Sequence, residues 1–264
     1  MTTLWFKRWV ARPNAAVRVL CFPLAGGSAL HYRKWATTAS SSLEVLAVEL
    51  PGRGSRADEP LAGSMEEMTA GLVESIRPEM DKPLAVVGHC MGALVALEFA
   101  YAFRAAFGHD PLLFVAAGCP APQLVYTEVR RSESDEELAV ALREHGGVAP
   151  ALLEDERYRE RILAPMRADI AIINGYLPPT RDALDAKIRA YWGADDPAAK
   201  GDDVTGWSAM TAIDFMSRKF PGGHLFIEEM AVEVLGALVA DIDDARVGRR
   251  SAASATPRAS AGDG

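Results

Sequence analysis

Cysteine is scarce in this 264-residue sequence, with only Cys21, Cys90 and Cys119. Three widely spaced cysteines without a C-x2-C pair exclude a disulfide framework and a cysteine zinc site, and they imply a reducing, cytoplasmic setting. Long apolar runs are missing as well. Nothing approaches the roughly 18 residues that a membrane-spanning helix requires. Lys7, Arg8, Arg12 and Arg18 interrupt the N-terminal apolar stretches, so no secretory signal and no membrane association are expected. Basic runs are absent and the net charge is -8, which argues against nucleic acid as a partner. Arg130 and Arg131 could contribute to a local docking patch, but a solvated surface accounts for them better. The phosphate-cradling patterns G-x-x-x-x-G-K-S/T and G-x-G-x-x-G do not occur, which removes the motif basis for nucleotide binding. No metal and no bound organic cofactor are expected. What is present is a 49% hydrophobic composition, enough for one large core in a monomeric α/β domain.

Short apolar, β-branched runs at Val17 to Phe22, Val45 to Leu50, Leu84 to Val87, Leu112 to Ala116 and Ile188 to Trp192 read as buried parallel strands. Helical stretches at Met65 to Arg77 and Gly92 to Ala106 alternate with them, which predicts a doubly wound, mostly parallel sheet. In such sheets ligands sit beyond the carboxyl ends of the strands. Residues 132–176 break the alternation with consecutive amphipathic helices and are expected to form a helical lid inserted before the next strand. Leu138, Val140, Leu142, Leu152, Ile162 and Met166 could line an acyl channel there, although helix packing produces the same pattern. The domain is expected to span 1–245. Residues 246–264, small and polar, are expected to be disordered.

The sharpest local signal is LAVVGHCMGALVALEFA, an apolar strand followed by Gly88-His89-Cys90-Met91-Gly92 and directly by a helix. It matches the nucleophile elbow G-x-S-x-G of α/β-hydrolases, with Cys90 in the serine position. A helix N-terminus and a nearby imidazole both favour a thiolate. The fold supplies the partners in the chain order nucleophile, acid, histidine. Gly193-Ala194-Asp195-Asp196-Pro197 follows a strand, and Asp196 is the choice for the orienting acid with Asp195 as the alternative. KFPGGHLFI sets His224 in a loop suited to the base. His89, inside the elbow, is assigned a structural role, and His31, His109 and His145 have surface or packing readings. The oxyanion donors are expected to be the backbone amides of Met91 and, in the loop Phe22-Pro23-Leu24-Ala25-Gly26-Gly27-Ser28, of Ala25.

Taken together, LCFPLAGGSALHYRKWA, ELPGRGSR, VGHCMGALVALEFA, MRADI, GADDP and FPGGHLFI closely resemble the type II thioesterases of polyketide and nonribosomal peptide assembly lines, from about Val17 to Leu235. The resemblance implies a hydrolase that frees acyl groups from the phosphopantetheine arms of acyl or peptidyl carrier proteins, with Cys90, Asp196 and His224 as its triad. Two positions depart from that family: Cys90 replaces serine, and Leu24 replaces a histidine. A sulfur nucleophile makes the acyl intermediate a thioester, which reacts with thiols and amines far more readily than an ester does. Transfer between carrier proteins is therefore the alternative to hydrolysis, and an inactive carrier-binding module is a third reading.

Overall fold

A computed structural model describes residues 4–125, 134–145, 148, 150–177 and 180–255. Arg130 and Arg131 lie outside them, as do the first two residues of the expected lid.

The described strands are β1 (Phe6–Lys7), β2 (Val17–Phe22), β3 (Leu43–Val48), β4 (Leu84–His89), β5 (Leu113–Ala117), β6 (Lys187–Gly193) and β7 (Phe215–Phe220). They form one sheet in the order β1-β3-β2-β4-β5-β6-β7. All neighbours run parallel except β1, which pairs antiparallel with β3. Strands β2 to β5 are buried along their whole length, as strands covered on both faces must be, so they appear in the sequence as mainly apolar runs, and the two charges that interrupt β2 and β3, Arg18 and Glu44, pair with each other. The third strand lies two residues earlier than expected. β1 and β7 escape a reading based on such runs: β1 has two residues, and the edge strand β7 is the half-exposed FMSRKF.

The helices are α1 (Arg33–Thr38), α2 (Met65–Ile76), α3 (Met91–Phe107), α4 (Pro122–Val125), α5 (Asp135–His145), α6 (Pro150–Glu154), α7 (Glu156–Gly175), α8 (Gly201–Thr205), α9 (Phe226–Glu229) and α10 (Ala231–Ala255). One core layer gathers Met68 and Leu72 of α2 and Phe99 and Phe103 of α3 with Leu20 and Val86 of the sheet. The other gathers Trp35 of α1 and Val234, Leu238 and Ile242 of α10 with Val19 and Val87. Alternate strand residues point to opposite faces, so adjacent residues such as Val86 and Val87 serve different layers. Helices α5 to α7 lie between β5 and β6 and carry a small core of their own, Leu138, Leu142, Leu153 and Leu163.

The end of the chain departs from expectation. α10 continues past Arg246 to Ala255 through residues rich in alanine and arginine, both strong helix formers. Residues 256–264 lie outside the described region.

Candidate active site

The site begins with an unusual backbone angle. Cys90 has φ 54° and ψ -126° and, among the described residues, is the one non-glycine residue with positive φ. Such a conformation costs about 1–3 kcal/mol and persists where the surroundings over-determine it. Here they do: β4 ends at His89, α3 starts at Met91, and the Cys90 amide donates 2.8 Å to the Ala117 carbonyl at the end of β5. Glycine is required on both sides. A Cβ on Gly88 would collide with the backbone of Gly92 and Ala93, and one on Gly92 would strike the carbonyls of Phe22 and Pro23. The first turn of α3 therefore packs directly on the loop that follows β2.

Asp196 and His224 meet beside this turn, each carried on a loop after a strand. His224 Nδ1 donates 2.9 Å to Asp196 Oδ2, while Asp196 Oδ1 accepts from the Ala198 amide at 2.9 Å. Asp196 and His224 are buried; Asp195, the alternative acid, is exposed. Gly193 lies so close to the Gly222 and Gly223 carbonyls that a Cβ there would clash, which keeps the two loops in contact.

Charge within the site is coupled. Burial disfavours a thiolate at Cys90, but the positive charge and hydrogen bond of His224 and the backbone N–H of Met91 outweigh it, and the thiol is lowered. Burial likewise opposes a charged His224, yet the Cys90 thiolate and the Asp196 hydrogen bond push the imidazole up to about 10. A thiolate at Cys90 and an imidazolium at His224 favour each other, so the two groups titrate as one unit. The Met91 backbone N–H bonds the Cys90 sulfur. Ala25 sits in the facing loop and lines the cavities on both of its sides.

Two cavities meet at this point. One of about 300 Å³ holds Cys90 and His224 and is walled by Leu94, Val125, Ile170 and Ile173. The larger, about 850 Å³, extends past Arg53, Leu61, Leu152 and Ile162. Leu24, Ala25, Leu142, Met166 and Leu225 line both. Of the positions weighed as channel lining, Leu142, Leu152, Ile162 and Met166 face these cavities, Leu138 packs inside the insertion, and Val140 is exposed.

Sequence reasoning missed one element of the site. Asp169 of α7, fully buried, forms a two-pronged ion pair with Arg53, whose Nη2 donates 2.8 Å to Oδ1. Its Oδ2 accepts the Gly26 amide at 2.8 Å. The insertion is thereby tied to the loop carrying Ala25. MRADI and ELPGRGSR both stood out as segments, but nothing in their spacing joins position 53 to position 169. His109 packs edge-on against Phe103, in keeping with its packing role. His31 is not a surface residue, its side chain being only 6% exposed.

Residues 17–243 match the family model described as Thioesterase domain. The chain is 31% identical to Thioesterase PikA5 of Streptomyces venezuelae over 232 residues, covering 88% of this chain and 83% of that protein. It is 27% identical to the Gramicidin S biosynthesis protein GrsT of Aneurinibacillus migulanus, covering 88% and 91%. Among solved structures it is similar to the type II thioesterase BorB from the borrelidin biosynthetic cluster, with 28% identity, a TM-score of 0.79 and coverage of 92% and 99%. The elbow, the strand order and these matches together place the chain in the thioesterase domain family.

Proposed function

We propose that this protein is a type II thioesterase that removes acyl groups from the phosphopantetheine arms of carrier proteins in polyketide or nonribosomal peptide biosynthesis, with Cys90 as its nucleophile. The observation that carries the reading is the convergence on Cys90 of the His224–Asp196 pair and the Met91 amide. The biosynthetic relatives PikA5, GrsT and BorB support the substrate class.

In this reading Cys90 reacts as the thiolate and His224 as the imidazolium, the charge states that each favours in the other. The Cys90 thiolate adds to the thioester carbonyl, and the oxyanion forms beside the amides of Met91 and Ala25. The bond to the pantetheine sulfur breaks as the His224 imidazolium gives that sulfur its proton. His224 is then neutral, held through Nδ1 by Asp196, and can take a proton from an attacking water. Collapse of the second intermediate expels the Cys90 thiolate, releases the acid and restores the ion pair. The 300 Å³ cavity would take the acyl group and the larger one the arm, with α5 to α7 as the lid.

A second reading, acyl transfer to another carrier protein, is favoured by the sulfur itself, since a thioester intermediate is poised for attack by a thiol. Intact-protein mass spectrometry separates the two. An acyl adduct on Cys90 that decays to free acid supports the hydrolase; one that persists until an unloaded carrier protein removes it supports the transferase. No adduct and no deacylation across several acyl groups sinks both.

A further inference from the structure

Behind His224 runs a second line of polar side chains that the chemistry above does not use. His89, fully buried, places Nε2 2.8 Å from the main-chain carbonyl of His224. Its other nitrogen, Nδ1, lies 2.9 Å from His31 Nε2, and the two rings are nearly parallel at 8°. His31 Nδ1 in turn pairs with Glu228 Oε1. The line starts at Glu228 in α9, crosses His31 just after the Ala25 loop and His89 in the elbow, and ends on the loop of the base. Gly118 makes room for it, because a Cβ there would stand 3.1 Å from His89 Nε2 and 3.4 Å from Asp196 Oδ2.

The number of protons on this line follows from its ends. The His224 carbonyl only accepts, so His89 Nε2 carries a hydrogen. His89 Nδ1 is then the acceptor, provided the ring is neutral, so His31 Nε2 carries one too. The Glu228 carboxylate also only accepts, which places a third hydrogen on His31 Nδ1. Two neutral imidazoles hold two ring protons, and three contacts need three. Burial and the charges of His224 and His31 press His89 well below the ordinary histidine range, which leaves the additional proton on His31 beside the carboxylate. The groups around the line are consistent with one positive charge there. Glu228 balances it from α9, Tyr32 packs edge-on against His31 with its hydroxyl on the Phe22 carbonyl, and Lys34 bonds the Glu228 main-chain carbonyl rather than its carboxylate. Asp196 and Cys90 are engaged with His224.

We propose that Glu228, His31 and His89 form a proton-holding strut that positions His224 through its main chain, while Asp196 positions the ring, with His224 taken as the base proposed above. All three are positioning residues that act through the His224 main chain, and His31 and Glu228 also line the larger cavity. The strut joins the oxyanion loop, the elbow and the base loop, so its loss loosens the geometry on which proton transfer depends.

Glu228→Ala and His31→Leu each remove an end or link of the strut. Losing one such hydrogen bond to a charged group should lower kcat about tenfold. Glu228→Gln is the informative partner: its amide N–H satisfies His31 Nδ1 with no third ring proton, so all contacts survive on two neutral imidazoles. It should restore kcat to within about threefold of the parent. If His31→Leu does not fold, His31→Gln, which keeps the donor to His89 and loses the contact with Glu228, serves in its place. Parental kcat and pH profile in both Glu228→Ala and the His31 variant would overturn the proposal. An independent readout is nitrogen-15 NMR of the histidine rings in the full chain carrying Cys90→Ala. Three ring protons on His31 and His89 together are expected, and two would overturn the strut. Undiminished turnover by Cys90→Ala would instead remove Cys90 as the nucleophile and with it the proposed function on which the strut's role rests, leaving the ring count to decide the strut separately.

Discussion

The cavity at Cys90 has two walls built in opposite ways. The elbow wall, Cys90, Met91 and Leu94, comes from one contiguous strand-turn-helix and is held by backbone collisions that only glycine at 88 and 92 avoids. The insertion wall, Met166, Ile170 and Ile173, belongs to a helix with its own small core, and it is tied to the rest by the Asp169 contacts with Arg53 and Gly26. Chemistry that tolerates little displacement sits on the first wall. The second needs only a correct seat, and a buried ion pair defines a seat at the expense of desolvating two charges.

That contrast can be broken at several points. The largest effect should come from the elbow: Cys90→Ala should reduce turnover of an acylated carrier protein by about 10⁴-fold or more while leaving the urea midpoint unchanged or higher. Normal turnover would show that the strained turn is not where the chemistry happens. Next comes the seat. Arg53→Met strands a buried carboxylate and should destabilise the protein by about 3–5 kcal/mol, and adding Asp169→Leu should return most of that loss. A denaturation curve for Arg53→Met that overlays the parent would mean that the insertion is seated by its apolar contacts alone.

A third effect is set by pH. With the Cys90 thiol lowered and His224 raised to about 10, kcat/KM should form a plateau between the two limbs. It should fall on the acid side as the thiolate takes up a proton. On the alkaline side it should fall as the imidazolium is lost, about tenfold per pH unit beyond the limb near 10. A limb near the ordinary histidine value of about 6.5 would dissolve the ion pair. The smallest effect tests strain directly. Glycine takes positive φ freely, so Cys90→Gly should stabilise the fold by about 1 kcal/mol in urea denaturation, although it abolishes activity. A loss of stability would show that the sulfur's contacts outweigh the backbone strain.

The sequence was most legible where one segment decides its own structure. Strands β2 to β5 announce themselves as mainly apolar runs because parallel strands are buried on both faces. The elbow is readable because its strand, turn and helix are contiguous, and Asp196 and His224 could be nominated because each closes a strand with turn residues. Asp196 was separable from Asp195 only in three dimensions: one carboxylate faces His224 and is buried, and its neighbour faces solvent. β7 was illegible because an edge strand exposes polar residues, and α10 runs past the expected limit through a stretch rich in alanine and arginine, which favour helix.

By itself, then, the order of residues determined the central strands, the position of the turn and the identity of the groups offered to it, since these rest on interactions within a few residues. Only the tertiary structure decided which of those groups touch. The Arg53–Asp169 pair spans 116 positions, and the line from Glu228 to His224 passes through His31 and His89 before returning to the loop it started beside. Hydrogen bonds between distant segments depend on how the loops close over the sheet, and that closure is a property of the packed molecule rather than of any stretch of its chain.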